Sequence, residues 1–299
     1  MLTVTTAGEL REELRRLRED ARVLGGGRVG FVPTMGALHE GHLALVDEAR
    51  RRADVAAMSI FVNPLQFGPS EDLSRYPRDP DGDAAKARAR GVQLLFAPGV
   101  EVIYPREPLV RIDPGALAQR WEGAARPGHF AGVLTVVAKL LHLVQPDVAV
   151  FGQKDVQQAT LIRAMVRDLD LPVELVIAPT VREPDGLALS SRNVYLDPDE
   201  RRRARVIPAA LARLEAAYAA GERRVPRLVA EANAVLALDP QLWPDYVAVA
   251  DPETLEPLDL ASDGAIAMIA LRVGKTRLLD NAILGVSPRI VAEPPGPPA

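Results

Sequence analysis

Two histidines, His39 and His42, stand three residues apart in PTMGALHEGH (residues 33–42), with Gly36 and Gly41 beside them. Imidazoles at that spacing share one side of a helix once it has begun, and glycines let backbone approach an anion closely. The set could donate hydrogen bonds to phosphate. It could also cap a turn, and as a metal site it would offer two neutral ligands with only Glu40 nearby. In FGQKDVQQ (residues 151–158), Lys154 brings a flexible point charge to phosphate, while Asp155 could hold Mg²⁺ or favour the first turn of a helix. Ser190, Ser191 and Arg192 place two hydroxyls and a guanidinium in succession. That is a compact donor set for phosphate oxygens, although composition alone would make it a turn. Gln66, in FVNPLQFG (residues 61–68), both donates and accepts, which suits a ligand with a hydroxyl and a carboxylate; a surface amide is the alternative. Arg126 is a candidate anion ligand, and His129 could be structural or functional. Asp81 and Asp83 could back such a site or be solvated.

These groups need elements to hold them. Leu10, Leu14 and Leu17 mark an amphipathic helix over residues 9–22, which Gly25, Gly26 and Gly27 end. A strand from Val29 to about Pro33 and a helix from Gly41 to Arg52 follow. The alternation continues with strands at 55–62, 92–98, 147–151 and 173–179 and helices near 80–90, 132–144 and 155–168. Short, wholly apolar strands separated by helices predict an α/β, doubly wound parallel (Rossmann-like) sheet filling residues 1–180. Three chemistry-bearing segments then directly follow strands, at the sheet edge where ligands bind and where helix N-termini offer unpaired N–H groups. Val133, Val136, Val137 and Leu140 face the core, and Val133, Leu134 and Val137 could also wall an apolar pocket. Beyond Val181 two helical stretches (198–220 and 226–237) precede strand-like runs, predicting a smaller α+β domain over 181–299 that closes over the site. Its last residues, 290–299, read as a flexible tail.

Composition narrows the function. The chain has 299 residues, 48% apolar and 25% charged, so two domains of an ordinary globular protein are expected. Its net charge of -4 gives no electrostatic footprint for nucleic acid. Without cysteine there is no disulfide, thiolate nucleophile or Cys-ligated zinc. No membrane-spanning run or signal peptide is read, so a cytoplasmic location is expected. Two motifs mislead. GGGRVG (residues 25–30) fits a dinucleotide fingerprint but precedes its strand, and VGKT (273–276) lacks the earlier glycine of a phosphate loop, Ile269 standing there.

The string around His39 and His42 resembles the H-x-G-H signature of the nucleotidyltransferase superfamily. Together with residues 61–68, 126–141, 151–158 and 182–196 it is similar to the pantothenate synthetase family over most of the first 195 residues. The resemblance implies an ATP-dependent condensation of pantoate with β-alanine through pantoyl-adenylate, releasing pyrophosphate and then AMP. It implies ATP contacts from Pro33, Thr34, Met35, Gly36, Ala37, Leu38, His39, Glu40, Gly41, His42, Gly152, Gln153, Lys154, Asp155, Val181, Leu189, Ser190, Ser191 and Arg192. Within that set His39, His42, Lys154, Ser190, Ser191 and Arg192 would serve catalysis, and Asp155 would hold Mg²⁺. Gln66, Arg126 and Gln158 would bind pantoate, whose dimethyl group would meet the apolar helix face. Gln153 stands where some relatives carry Glu. The Ser190–Arg192 segment resembles in role the mobile K-M-S-K-S loop of class I aminoacyl-tRNA synthetases. A homodimer is implied too.

Overall fold

Strands apolar on both faces must be covered twice. The computed structural model, which describes residues 1–69, 71, 73–286 and 290–291, places them in a six-stranded sheet between two helical layers. The chain divides into two units, Met1–Gly152 with Gln157–Ala178, and Gln153–Val156 with Pro179–Ala299.

The first unit runs β1 (Leu2–Val4), α1 (Ala7–Val23), β2 (Val29–Thr34), α2 (Glu40–Arg52), β3 (Val55–Ile60), α3 (Pro80–Ala89), β4 (Leu94–Phe96), α4 (Val100–Ile103), α5 (Trp121–Ala125), α6 (His129–Val144), β5 (Val148–Gly152), α7 (Val156–Asp168) and β6 (Glu174–Ala178). All its ladders are parallel, in the order β1-β4-β3-β2-β5-β6. β2 is central, and the crossovers lead away from it towards one edge and then the other. The switch point therefore lies outside the carboxyl ends of β2 and β5. Alternate strand residues split between two cores. Phe31, Ala57, Phe96 and Phe151 pack with Leu10 and Leu14 of α1, Val137 and Leu140 of α6 and Ile162 of α7. Val32, Met58, Leu95 and Val150 face Val46 and Ala49 of α2 and Ala87 of α3. The doubly wound expectation holds. Strand β1 has no counterpart in the sequence reading, because it is three residues long at the sheet edge with Leu2 and Thr3 exposed.

The second unit holds β7 (Val181–Arg182), α8 (Pro198–Ala204), α9 (Val206–Ala219), α10 (Val225–Leu236), β8 (Trp243–Ala250), β9 (Ile266–Val273), β10 (Thr276–Ile283) and β11 (Ile290–Val291). An antiparallel sheet, β10-β9-β8, packs Ile269 and Leu271 against Leu211, Leu214 and Leu228 of the helices. The helix expected over 198–220 is two helices, since Pro208 has no N–H to offer the carbonyl of Ala204. VGKT is the two-residue turn of the β9–β10 hairpin, with Gly274 at φ 55°. GGGRVG is the loop between α1 and β2. Residues 290–291, expected in the tail, pair in parallel with Val181 and Arg182, and 292–299 lie outside the described residues. Residues 153–156 group with the second unit, whereas the strand–helix alternation assigns 1–180 to the first. Among the described residues no helix is long and apolar enough to cross a membrane.

Candidate active site

The loop from β2 to α2 is held by a carboxylate. Asp83 of α3, buried, accepts from the N–H of Ala37 at 2.8 Å and of Leu38 at 2.7 Å, and Lys86 donates to the Leu38 carbonyl at 2.9 Å. This anchors a backbone reversal with Gly36 at φ 86° and Ala37 at φ 50°. A Cβ on Gly36 would also come 2.9 Å from Asp83 Oδ2, so only glycine fits. His39 then serves as N-cap of α2. Its Nδ1 accepts from Gly41 N–H at 3.1 Å, while His42 Nδ1 accepts from His39 N–H at 3.4 Å. The rings lie 4.1 Å apart. Rings that accept at Nδ1 carry their proton on Nε2, so each is a neutral donor at its far nitrogen.

The capping alternative and the phosphate alternative are thus compatible. The source of the donors changes, however. The expected unpaired amides are engaged, those of residues 37 and 38 by Asp83 and those of 39 and 41 by the histidines. Donation to an anion from this turn would come from the imidazole Nε2–H groups rather than from these four amides. Glu40, the carboxylate weighed for a metal, pairs with Arg90 instead.

Gln66 sits in a short turn, Pro64–Gln66, beyond β3, and it is not a surface amide. Tyr104 donates to Asn63 Oδ1 at 2.9 Å, and Asn63 Nδ2 donates to Gln66 Oε1 at 3.0 Å and to the Gly132 carbonyl at 3.1 Å. The chain fixes which way Gln66 faces. Its Nε2 is left pointing at Met35 Sδ, 3.2 Å away and a weak acceptor that a hydroxyl or carboxylate would outcompete. Burial pushes the Tyr104 phenol up to about 12, so it remains a donor. Close approach of α6 makes this possible, since a Cβ at Gly132 would meet the Leu65 carbonyl at 2.2 Å.

Arg126 is not presented as an open anion ligand. Nε and Nη2 each contact Glu71 at 2.7 Å, and Nη1 donates to His129 Nε2 at 2.9 Å. His129 Nδ1 in turn donates to the Gln66 carbonyl at 2.8 Å, which assigns this histidine a structural role beneath the Gln66 turn. A substrate carboxylate would have to share or displace Glu71. Burial raises the Glu71 carboxyl, but the bonds and charge of Arg126 outweigh it and hold the group below its ordinary value. Val133, Leu134 and Val137 are buried in the core. Gln158 is half-buried in α7, beside a buried Gln157 that accepts from Glu122 N–H and donates to the carbonyls of Leu117 and Arg120.

The remaining phosphate candidates belong to the second unit. Lys154 and Asp155 lie in a one-turn helix, Gln153–Asp155, and pair at 3.4 Å. Ser190 caps the turn Ser191–Tyr195 by accepting from Arg192 N–H at 3.2 Å, and Leu189 N–H donates to the Val181 carbonyl at 3.0 Å. Strand β10 runs beside both turns. Among the described residues no group of three or more acids and histidines could cage a metal. Asp155, its side chain half exposed, nevertheless suits Mg²⁺, which keeps most of its water and phosphate ligands and takes one or two carboxylates.

Of the residues that shape these turns, the sequence reading missed Asn63, Tyr104, Gly132 and Asn281. The Asn-Pro pair at 63–64 signals a turn and could have flagged Asn63. The others act only across the fold.

A doubly wound parallel sheet with an H-x-G-H helix cap at its switch point defines a Rossmann-like, nucleotide-dependent enzyme of the H-x-G-H class. The family model for pantoate-beta-alanine ligase matches residues 3–283, and the chain belongs to that family. Pantothenate synthetase of Acidobacterium capsulatum is 50% identical over 294 residues, covering 96% of this chain and 98% of its own. That of Roseiflexus castenholzii is 51% identical, covering 95% and 99%. Among solved structures, pantothenate synthetase from Thermus thermophilus superposes with a TM-score of 0.88 at 50% identity, covering 95% of this chain and 99% of its own. Pantoate-beta-alanine ligase from Francisella tularensis, solved with beta-gamma ATP and beta-alanine, gives 0.76 at 32% identity, covering 95% and 97%.

Proposed function

We propose that this chain condenses pantoate with β-alanine using ATP, giving pantothenate, AMP and pyrophosphate. The observation that carries the reading is the His39–His42 cap in the loop after β2, whose rings accept at Nδ1 and so carry their protons on Nε2. A pantoate carboxylate oxygen attacks the α-phosphorus, the bond to the bridging oxygen breaks, and pyrophosphate leaves with its electron pair. The amine of β-alanine then attacks the acyl carbon of pantoyl-adenylate, the C–O bond to AMP breaks, and the amine gives up a proton. No protein nucleophile is needed, so the chain's work is alignment and stabilisation of charge moving onto pyrophosphate.

His39 and His42 donate to the phosphates, and Lys154, Ser190, Ser191 and Arg192 hold the β and γ groups. Gln66, through its oriented Nε2, and Gln158 bind pantoate, with Arg126 closing on its carboxylate once Glu71 yields. Asp155 would hold Mg²⁺, which supplies further positive charge to the phosphates. The reading includes a homodimer, carried by the family resemblance, and a cytoplasmic location. Pantoate-dependent exchange of labelled pyrophosphate into ATP, measured without β-alanine, tests the chemistry. Exchange is expected, and folded protein that gives none overturns the reading.

A further inference from the structure

The lysine turn is fastened by a residue far along the chain. Asn281 of β10 is 1% exposed, and its Nδ2 donates to the carbonyls of both Gln153 at 3.0 Å and Lys154 at 2.9 Å. Its Oδ1 accepts from Gln153 Nε2 at 3.1 Å, so both donors and the acceptor of the side chain are engaged by this one turn. Asn281 is itself immobilised. Its N–H donates to Asp280 Oδ1 at 2.8 Å, and Asp280 forms a buried two-point ion pair with Arg182 at 2.5 and 2.9 Å. Arg182 also donates to the Gly186 carbonyl at 3.1 Å, in the segment leading to Ser190. Two neighbouring residues of one strand thus hold the Lys154 turn and the approach to the Ser190–Arg192 turn.

We propose that Asn281 is a positioning residue for nucleotide activation. It gathers the two carbonyls of the Gln153–Asp155 turn onto one amide, drawing their partial negative charge away from the phosphates and fixing the backbone from which Lys154 extends. Arg182 and Asp280 set the strand that carries it. The inference rests on Lys154 serving the β and γ phosphates.

The test is pyrophosphate exchange by Asn281→Ala, with KM for ATP and for pantoate measured separately and thermal unfolding recorded alongside. Expected are a KM for ATP raised about tenfold or more and a slower exchange, since small misplacement of an aligning group is costly. The KM for pantoate should stay within about twofold. If the alanine variant does not fold, Asn281→Ser reads the same quantity, because it keeps a small uncharged polar side chain but cannot donate to both carbonyls. A lowered melting temperature with both KM values unchanged would make Asn281 merely structural, and equal shifts in both would also overturn the proposal. Absence of exchange in the unaltered protein would instead strike the functional reading itself.

Discussion

At the scale of single residues, His39 caps α2 and, in the proposed function, donates to phosphate, two duties that one substitution can separate. His39→Ala removes both the helix cap, worth about 1 kcal/mol, and a phosphate donor, whose loss should slow exchange about 10²- to 10³-fold. His39→Asn restores a good cap without the far N–H. It should melt like the unaltered protein yet exchange as slowly as the alanine variant, and recovery of activity in it would show that only the cap matters. Glu71 makes the pH prediction. Its carboxyl is held below its ordinary value, so the bond with Arg126 contributes fully above the ordinary carboxylate range of about 4.3 and is lost as the pH falls through the depressed value. Urea unfolding should find Glu71→Gln less stable by about 1 kcal/mol at neutral pH, a gap that closes in acid. A gap independent of pH would contradict the assignment.

At the scale of elements, Gly132 decides how near α6 comes to the Gln66 turn. Gly132→Ala puts a methyl against the Leu65 carbonyl. The helix and turn must part, at a cost of about 1–3 kcal/mol. Calorimetric stability should fall accordingly, and KM for pantoate should rise while KM for ATP stays, because the displaced group is the Asn63–Gln66 pair. The elements themselves were largely legible, since β2, β3 and β5 are uninterrupted apolar runs and the intervening helices show their periodicity. What escaped was governed by partners distant in sequence. Gln66 has the composition of a loop amide, and only Asn63, itself held by Tyr104 and by the Gly132 carbonyl far along the chain, is seen to make it a fixed donor. Arg126 reads as an open anion ligand until Glu71 is seen against it, and the choice for Asp83 between backing the site and being solvated is decided only by its bonds to residues 37 and 38.

At the scale of the whole molecule, each unit has its own core, so unfolding need not be one transition. Leu214 in α9 is fully buried in the second core. Leu214→Ala should cost about 2–5 kcal/mol and lower a calorimetric transition assigned to that unit, leaving the one assigned to the sheet in place. A uniform shift of a single transition would refute independent unfolding of the two units. The change in texture near Val181 falls close to where the two units part at Ala178, whereas residues 153–156, which Asn281 of the second unit holds, carry no such signal in the sequence.

That bond also orders events in time. The parallel sheet needs nothing beyond Ala178, whereas the turn carrying Lys154 waits for a residue 127 positions downstream of it. During synthesis, at roughly 5–20 residues per second, the last hundred or so residues take on the order of 5–20 seconds to follow. On the role proposed for Lys154, a nascent chain therefore has all six strands of its sheet well before the turn that would meet the triphosphate is fastened.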